Sequence, residues 1–348
     1  SELRNPGKDK KRWEAAAATL KDVIDLQVYR LQPTILDLWT EATNNNDEVI
    51  FDFQMSKQNG GRREGLFGPV FVKGVQSSWG NMQPTQELVD DYCMANGLPI
   101  TDPASGYNKN NPYKNREKRF YQSILYDGSM WQGEEIITLV GVGSPNEIDT
   151  SSDSDVTNTG YYTRKTIDES VNGADNLQMS NGMANYIFFR YADVLLMYAE
   201  ARIKAAELGG DPIDDTVIDA IDRIRMRPAR STDNGLPSLE TTYGGRPSLD
   251  KLKEIIFNER IVELSFEFKA YTDVRRFRRG DLLNQPKQAI RWDSNQGGYV
   301  LKTLSEGNFW DDKLYLIPIY QEWLEKNPAW MDPEKQVDGR TKGQNPGW

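Results

Sequence analysis

Residues 186–208 read YIFFRYADVLLMYAEARIKAAEL, and this stretch decides the fold. Ile187, Tyr191, Val194, Leu195, Tyr198, Ala201, Ala205 and Leu208 recur in steps of about three or four residues, the spacing of an apolar stripe on a helix. The spacing predicts one long helix over Tyr186–Leu208, stopped by Gly209-Gly210. Asp211-Pro212 then opens a second helix, with proline in a first-turn position where no N–H is required. Val217, Ile218, Ile221 and Ile224 carry it to Arg227-Pro228.

Working outward, Ser248 is placed to cap a third helix from Leu249 to about Phe268, apolar at Leu252, Ile255, Ile256, Val262, Leu264 and Phe266. Upstream, Trp13–Tyr29 is Ala-rich, with Trp13, Ala16, Ala17, Leu20, Val23, Ile24 and Val28 at helical spacing, and Val49–Phe53 (VIFDF) reads as a short strand. Helices joined by short Gly/Pro turns, with small and aromatic residues at the seam, predict stacked helix pairs. No clean 34-residue period is present, so spacing alone does not establish a regular tetratricopeptide (TPR) array.

Between these helical parts the character changes. Asn59-Gly60-Gly61, Gly68-Pro69, Asn111-Pro112 and Ser144-Pro145 punctuate residues 56–180, where only Gln86–Asn96 has helical spacing. Tyr121–Tyr126 and Ile136–Val142 read as short strands, and a polar loop is expected from Arg279 to Asn308. The organisation is thus a helical scaffold formed by residues 1–55 and 181–348, with a loop-rich insertion at 56–180. Long loops on a rigid frame are where binding concentrates.

Composition removes whole classes of chemistry. The 348 residues contain no histidine, so Ser-His-Asp and Cys-His catalysis and His-ligated metals are out. The single cysteine, Cys93, forms no internal disulfide and no Cys-cluster site. With 42 Lys+Arg against 52 Asp+Glu, the net charge of −10 opposes general attraction to nucleic acid. No apolar run approaches a membrane-spanning length of ~18–20 residues. No metal or cofactor is expected.

Three constellations remain. Glu259, Arg260, Glu263 and Glu267 share helical spacing, and paired carboxylates can cleave glycosides. Such a pair normally faces across a cleft from separate elements, so ion pairing with Arg275, Arg276, Arg278 and Arg279 is the better reading. Asp149, Asp153 and Asp155 lack EF-hand spacing and read as a solvated loop. The aromatic residues of the insertion are more informative. Trp79, Tyr107, Tyr113, Trp131, Tyr161 and Tyr162 sit beside Gly, Asn, Ser and Gln rather than in apolar runs. Flat rings on polar loops can stack on a sugar face while neighbouring amides bond its hydroxyls. Trp79 as platform and Asn81 as hydroxyl partner are the first choices. Tyr107, Tyr113 and Trp131 follow, with Trp292 as an outsider.

Several segments together resemble the SusD/RagB family of surface lipoproteins, which capture nutrients for TonB-dependent transporters in Bacteroidetes. Arg190–Ala201 (RYADVLLMYAEA) is similar to the family's "RYAEVLLMYAEA" helix, and Ala220–Arg227 (AIDRIRMR) to its follower. Ile255–Phe277 (with NERIVELSFEFKAYTDVRRF), Leu314–Ile319 (LYLIPI) and Gln344–Trp348 (QNPGW) resemble further motifs in the same order. Arg116-Glu117-Lys118-Arg119 stands where the family often has "RDPR", and Lys269-Ala270 near a usual Arg. The resemblance covers the C-terminal two-thirds of a typical member. It implies that N-terminal helices, an export signal and a lipidated cysteine are missing, and Cys93 is internal to the chain. It further implies a mostly α fold of TPR-like helix pairs, binding without catalysis, a glycan ligand, and a lid-like partnership with a SusC-like barrel on the outward face of the outer membrane. An all-helical glycoside hydrolase using Asp/Glu pairs, a peptide binder and a purely protein-binding scaffold stay open as alternatives.

Overall fold

A computed structural model describes residues 8–149, 155–227, 235–293, 295–307, 310–327, 329 and 344–345. Among the described residues the longer helices of the frame are α1 (Lys10–Asp25), α2 (Tyr191–Glu207), α3 (Asp215–Arg225) and α4 (Leu249–Glu263), followed by the short α5 (Ala270–Arg276). The protein is mostly helical, and its strands are short and paired two by two. At the centre lies α2. Its residues are buried nearly all round, because α1, α3 and α4 each pack against it. Trp13 and Ala17 of α1, Val217, Ile221 and Ile224 of α3, and Leu252 and Ile256 of α4 close one core with Leu195, Leu196 and Ala199. That is the stacked helix-pair arrangement.

The caps explain where these helices start. Asp214, not Asp211, opens α3 by accepting from the Thr216 N–H at 3.1 Å, so Pro212 stands outside the helix in the connecting turn. Ser248 caps α4 by accepting from the Lys251 N–H at 3.3 Å. Ser248→Ala is therefore expected to cost about 1 kcal/mol, read as a lower urea midpoint with an unchanged slope. The helix ends at Glu263 rather than Phe268, because Phe266 and Phe268 take left-handed backbone conformations (φ +62° and +59°).

The first five residues of the decisive stretch are not helical. Tyr186–Arg190 forms strand β2, antiparallel to β1 (Val49–Phe53). Aromatic residues suit a half-buried pleated edge, and the Tyr191 N–H donates to the Glu48 carbonyl at 2.8 Å where strand becomes helix. This two-stranded pair joins the ends of the loop-rich excursion. The expected polar loop after Arg279 contains a hairpin, β3 (Lys287–Asp293) with β4 (Gly298–Ser305). Of the strand expected at Tyr121–Tyr126, residues up to Ser123 belong to the helix Lys118–Ser123 and only Ile124–Leu125 is extended; Glu134–Ile136 pairs with Ser129–Trp131, and 137–142 is irregular. Helix Gln86–Asp91 is shorter than its spacing suggests.

Charge, as well as apolar packing, holds the excursion to the frame. Arg119, Lys165, Arg190, Arg225 and Arg227 meet Glu48, Glu117, Glu259, Glu263 and Glu267 in one buried network, five positive charges against five negative. Arg119 and Lys165 come from the excursion. Glu263 lies at the centre, accepting from Arg190 at 2.8 Å, Arg227 at 2.8 Å and Arg119 at 3.2 Å. The carboxylates of α4 thus pair as expected, but with other partners. Of the Arg275–Arg279 cluster, Arg276 bonds Asp273 and Glu200, whereas Arg275 donates to the Tyr315 carbonyl and Arg278 lies over the Tyr315 ring. Arg260 itself bonds Asp193 and Asp273.

Candidate ligand-binding surface

Trp79 stands 41% exposed on a tight turn of the excursion. Its N–H donates to the Gly65 carbonyl at 3.0 Å, and the Asn81 N–H donates to the Leu66 carbonyl at 2.8 Å. Both bonds fasten the turn alongside the short helix Arg63–Phe67. Between them Gly80 has φ +59°, and a Cβ there would stand 2.9 Å from the Asp155 carbonyl oxygen, so only glycine fits. The backbone that carries Trp79 is thus anchored, and its side chain is exposed to solvent. Asn81 is exposed beside it.

Three hydrogen bonds extend this surface. Gln83 donates its amide to the Gly80 carbonyl at 2.9 Å and accepts from the Asn158 N–H at 3.0 Å; Arg291 reaches the Asn158 carbonyl at 3.5 Å, the limit of such a bond. The exposed residues Trp79, Asn81 and Asn158 and the half-buried Gln83 and Arg291 are therefore linked along one stretch of surface. This is the donor and acceptor set that fits hydroxyl-rich ligands. Gln83, Asn158 and Arg291 escape sequence reading because each is an ordinary polar residue that nothing in the local pattern links to Trp79.

The other rings lie elsewhere. Tyr113 is 8% exposed, enclosed by Phe120, Tyr126, Tyr161 and Tyr299 with ring centres 4.5–6.2 Å away. Trp131 is 4% exposed and packs with Val70, Val72, Leu125 and Ile136. Tyr161 and Tyr162 are fully buried. Trp131 and Tyr162 lie in the excursion's own core, Tyr113 and Tyr161 in a core shared with Val262 and Ile290 of the frame, and none of the four presents a face to a ligand. Tyr107 is half-buried, with the Arg116 guanidinium 5.7 Å from its ring centre. Trp292 is exposed and rests edge-on against Tyr299 at 5.1 Å. Strand alternation sends it away from β3 on the side opposite Arg291. Residues 150–154 of the Asp149–Asp155 loop lie outside the described residues.

Nothing in the ionic network suits acid–base work. Burial raises the Glu263 carboxyl, but Arg227, Arg190, Arg119 and Lys165 outweigh it and hold the group well below the usual carboxylate range. Glu259, against Arg119 and Arg225, and Glu267, against Arg190 and Lys165, are likewise lowered despite burial. A general acid for glycoside cleavage needs the opposite shift and access to the bond.

Stacked helix pairs carrying a long excursion, with a ring and amides displayed on its edge, define a helical scaffold protein. The SusD family profile matches residues 47–348, and the chain belongs to that family. A SusD-like protein of Formosa agariphila is 36% identical over 97 residues, which are 28% of this chain and 18% of that protein. A SusD-like protein from Bacteroides fragilis superposes with a TM-score of 0.72 at 26% identity, over 98% of this chain and 63% of that one. A SusD-like carbohydrate binding protein from the same organism gives 0.72 at 23% identity, over 91% and 60%. The chain thus spans under two thirds of these solved relatives and under one fifth of the curated one.

Proposed function

We propose that the protein is a non-catalytic surface binding protein that captures oligo- or polysaccharides and passes them to a SusC-like TonB-dependent transporter of the outer membrane, where a lipid anchor would hold it. Family membership supports this reading, and the observation that carries it is the exposed Trp79 side chain on a backbone-anchored loop that also carries Asn81 and Gln83 and is linked to Asn158. Stacking on the ring would orient a sugar, and the carboxamides would bond its hydroxyls. The buried, charge-matched carboxylates of α4 speak against the hydrolase alternative.

Affinity electrophoresis against a polysaccharide panel tests the proposal. At least one glycan should retard the protein, with no release of reducing ends. Trp79→Ala is expected to weaken that binding about thirtyfold, the ~2 kcal/mol of an aromatic anchor, while Trp131→Phe leaves it nearly unchanged. Equal retardation of wild type and Trp79→Ala would remove Trp79 from the site, and release of reducing ends would revive the hydrolase.

A further inference from the structure

Arg291 is half-buried on β3, and its backbone is fixed there. The neighbouring Ile290 is buried, and its N–H donates to the Thr159 carbonyl at 3.0 Å. Arg291 itself has one hydrogen bond among the described residues, the 3.5 Å reach of Nη2 to the Asn158 carbonyl. No carboxylate pairs with it there. Burial lowers its pKa with no acidic neighbour to oppose the shift.

No other described arginine that is half-buried or deeper is left in this state. Most bond a carboxylate. Of those that do not, Arg63, Arg116 and Arg275 donate to backbone carbonyls well inside hydrogen-bond range. Arg223 lies over the Tyr191 ring, 5.3 Å from its centre. Arg291 alone has neither a carboxylate, a ring, nor a carbonyl closer than the limit of a bond.

Its place suggests what the unmet charge is for. Asn158 and Gln83 link Arg291 to Gly80, next to Trp79. At that other end Gly80 packs against the carbonyl of the exposed, acidic Asp155. The surface therefore has a cation at one end and an acidic residue at the other, and only the Arg291 end favours negative charge on a ligand. A planar guanidinium can engage two oxygens of a carboxylate or sulfate side by side. Having already lost part of its hydration, it gains more from such a partner than a fully solvated one would.

We propose that the glycan is anionic, with a uronate carboxylate or a sulfate ester paired to the Arg291 guanidinium while an uncharged part of the same chain lies on Trp79. The inference rests on the ligand surface proposed above. With a net charge of −10 the protein as a whole repels polyanions, so retention of one reports a local contact.

Matched probes test it by affinity electrophoresis of the full chain. Polygalacturonate is set against its full methyl ester, and dextran sulfate against dextran; the first pair reads carboxylate and the second sulfate. At least one polyanion should bind about tenfold or more tightly than its neutral counterpart, and weaken as salt rises from about 50 to about 500 mM. Arg291→Gln should weaken that binding about tenfold, with its thermal unfolding unchanged from wild type. Retardation by neither polyanion, equal retardation by the neutral counterparts, or Arg291→Gln binding like wild type would each overturn the proposal. A neutral glycan lost in Trp79→Ala but kept in Arg291→Gln would overturn it and leave the Trp79 surface standing. A polyanion that needs Arg291 but is indifferent to Trp79→Ala would overturn the shared surface instead.

Discussion

Glu263→Ala is expected to lower the unfolding free energy by about 3–5 kcal/mol, the cost of stranding buried charge. Glu263 is fully buried and accepts from three arginines at once. Removing it leaves five cations facing four carboxylates in a space that water does not reach. Domains of this kind are stable by only ~5–15 kcal/mol, so the variant should be partly unfolded near 37 °C. Urea denaturation followed by circular dichroism reads the loss. A change below 1 kcal/mol, as ordinary for an exposed pair such as Lys251–Glu254, would mean that the network contributes no more than surface charge.

Stability should also fall steeply in acid. Unfolded glutamate titrates near ~4.3, whereas the folded carboxyls of Glu259, Glu263 and Glu267 are held below their ordinary value by the surrounding cations. Below about pH 4.3 the unfolded chain therefore takes up protons that the native state refuses. The stabilisation is fully present above that pH and is lost as pH falls toward the folded values. It amounts to about 1.4 kcal/mol for each tenfold drop in a carboxyl's proton affinity on folding. Urea midpoints measured from pH 7 to pH 3 check this, and Glu263→Gln should flatten the slope. A constant midpoint across that range would contradict the assignment.

The frame was largely legible because its signals are local. The stripe of α2, the apolar positions of α4 and the Ser248 cap all act within a turn or two. Where local pattern misled, a distant partner decided the outcome. Tyr186–Arg190 continues the helical spacing of its neighbour, yet β1, more than 130 residues earlier, draws it into a strand. The β3 hairpin was hidden because Ala289 and Ile290 are buried side by side, which breaks the alternation that marks a half-exposed strand. The rings of the excursion divide for the same reason. Trp79 and Trp131 have equally polar neighbours in sequence, but Val70, Leu125 and Ile136 converge on Trp131, while Trp79 is left at the edge. Gln83, Asn158 and Arg291 meet only after folding.

The β1–β2 pair has a consequence for how such a chain can diversify. Because the two ends of the excursion are hydrogen-bonded side by side, residues 54–185 behave geometrically as a cassette plugged into one socket. A transplanted cassette of another length would need apolar side chains to cover Val262 and Ile290, and its own counterparts of Arg119 and Lys165. Without that pair of plugs, Glu259, Glu263 and Glu267 would be short of positive charge in the dark of the protein.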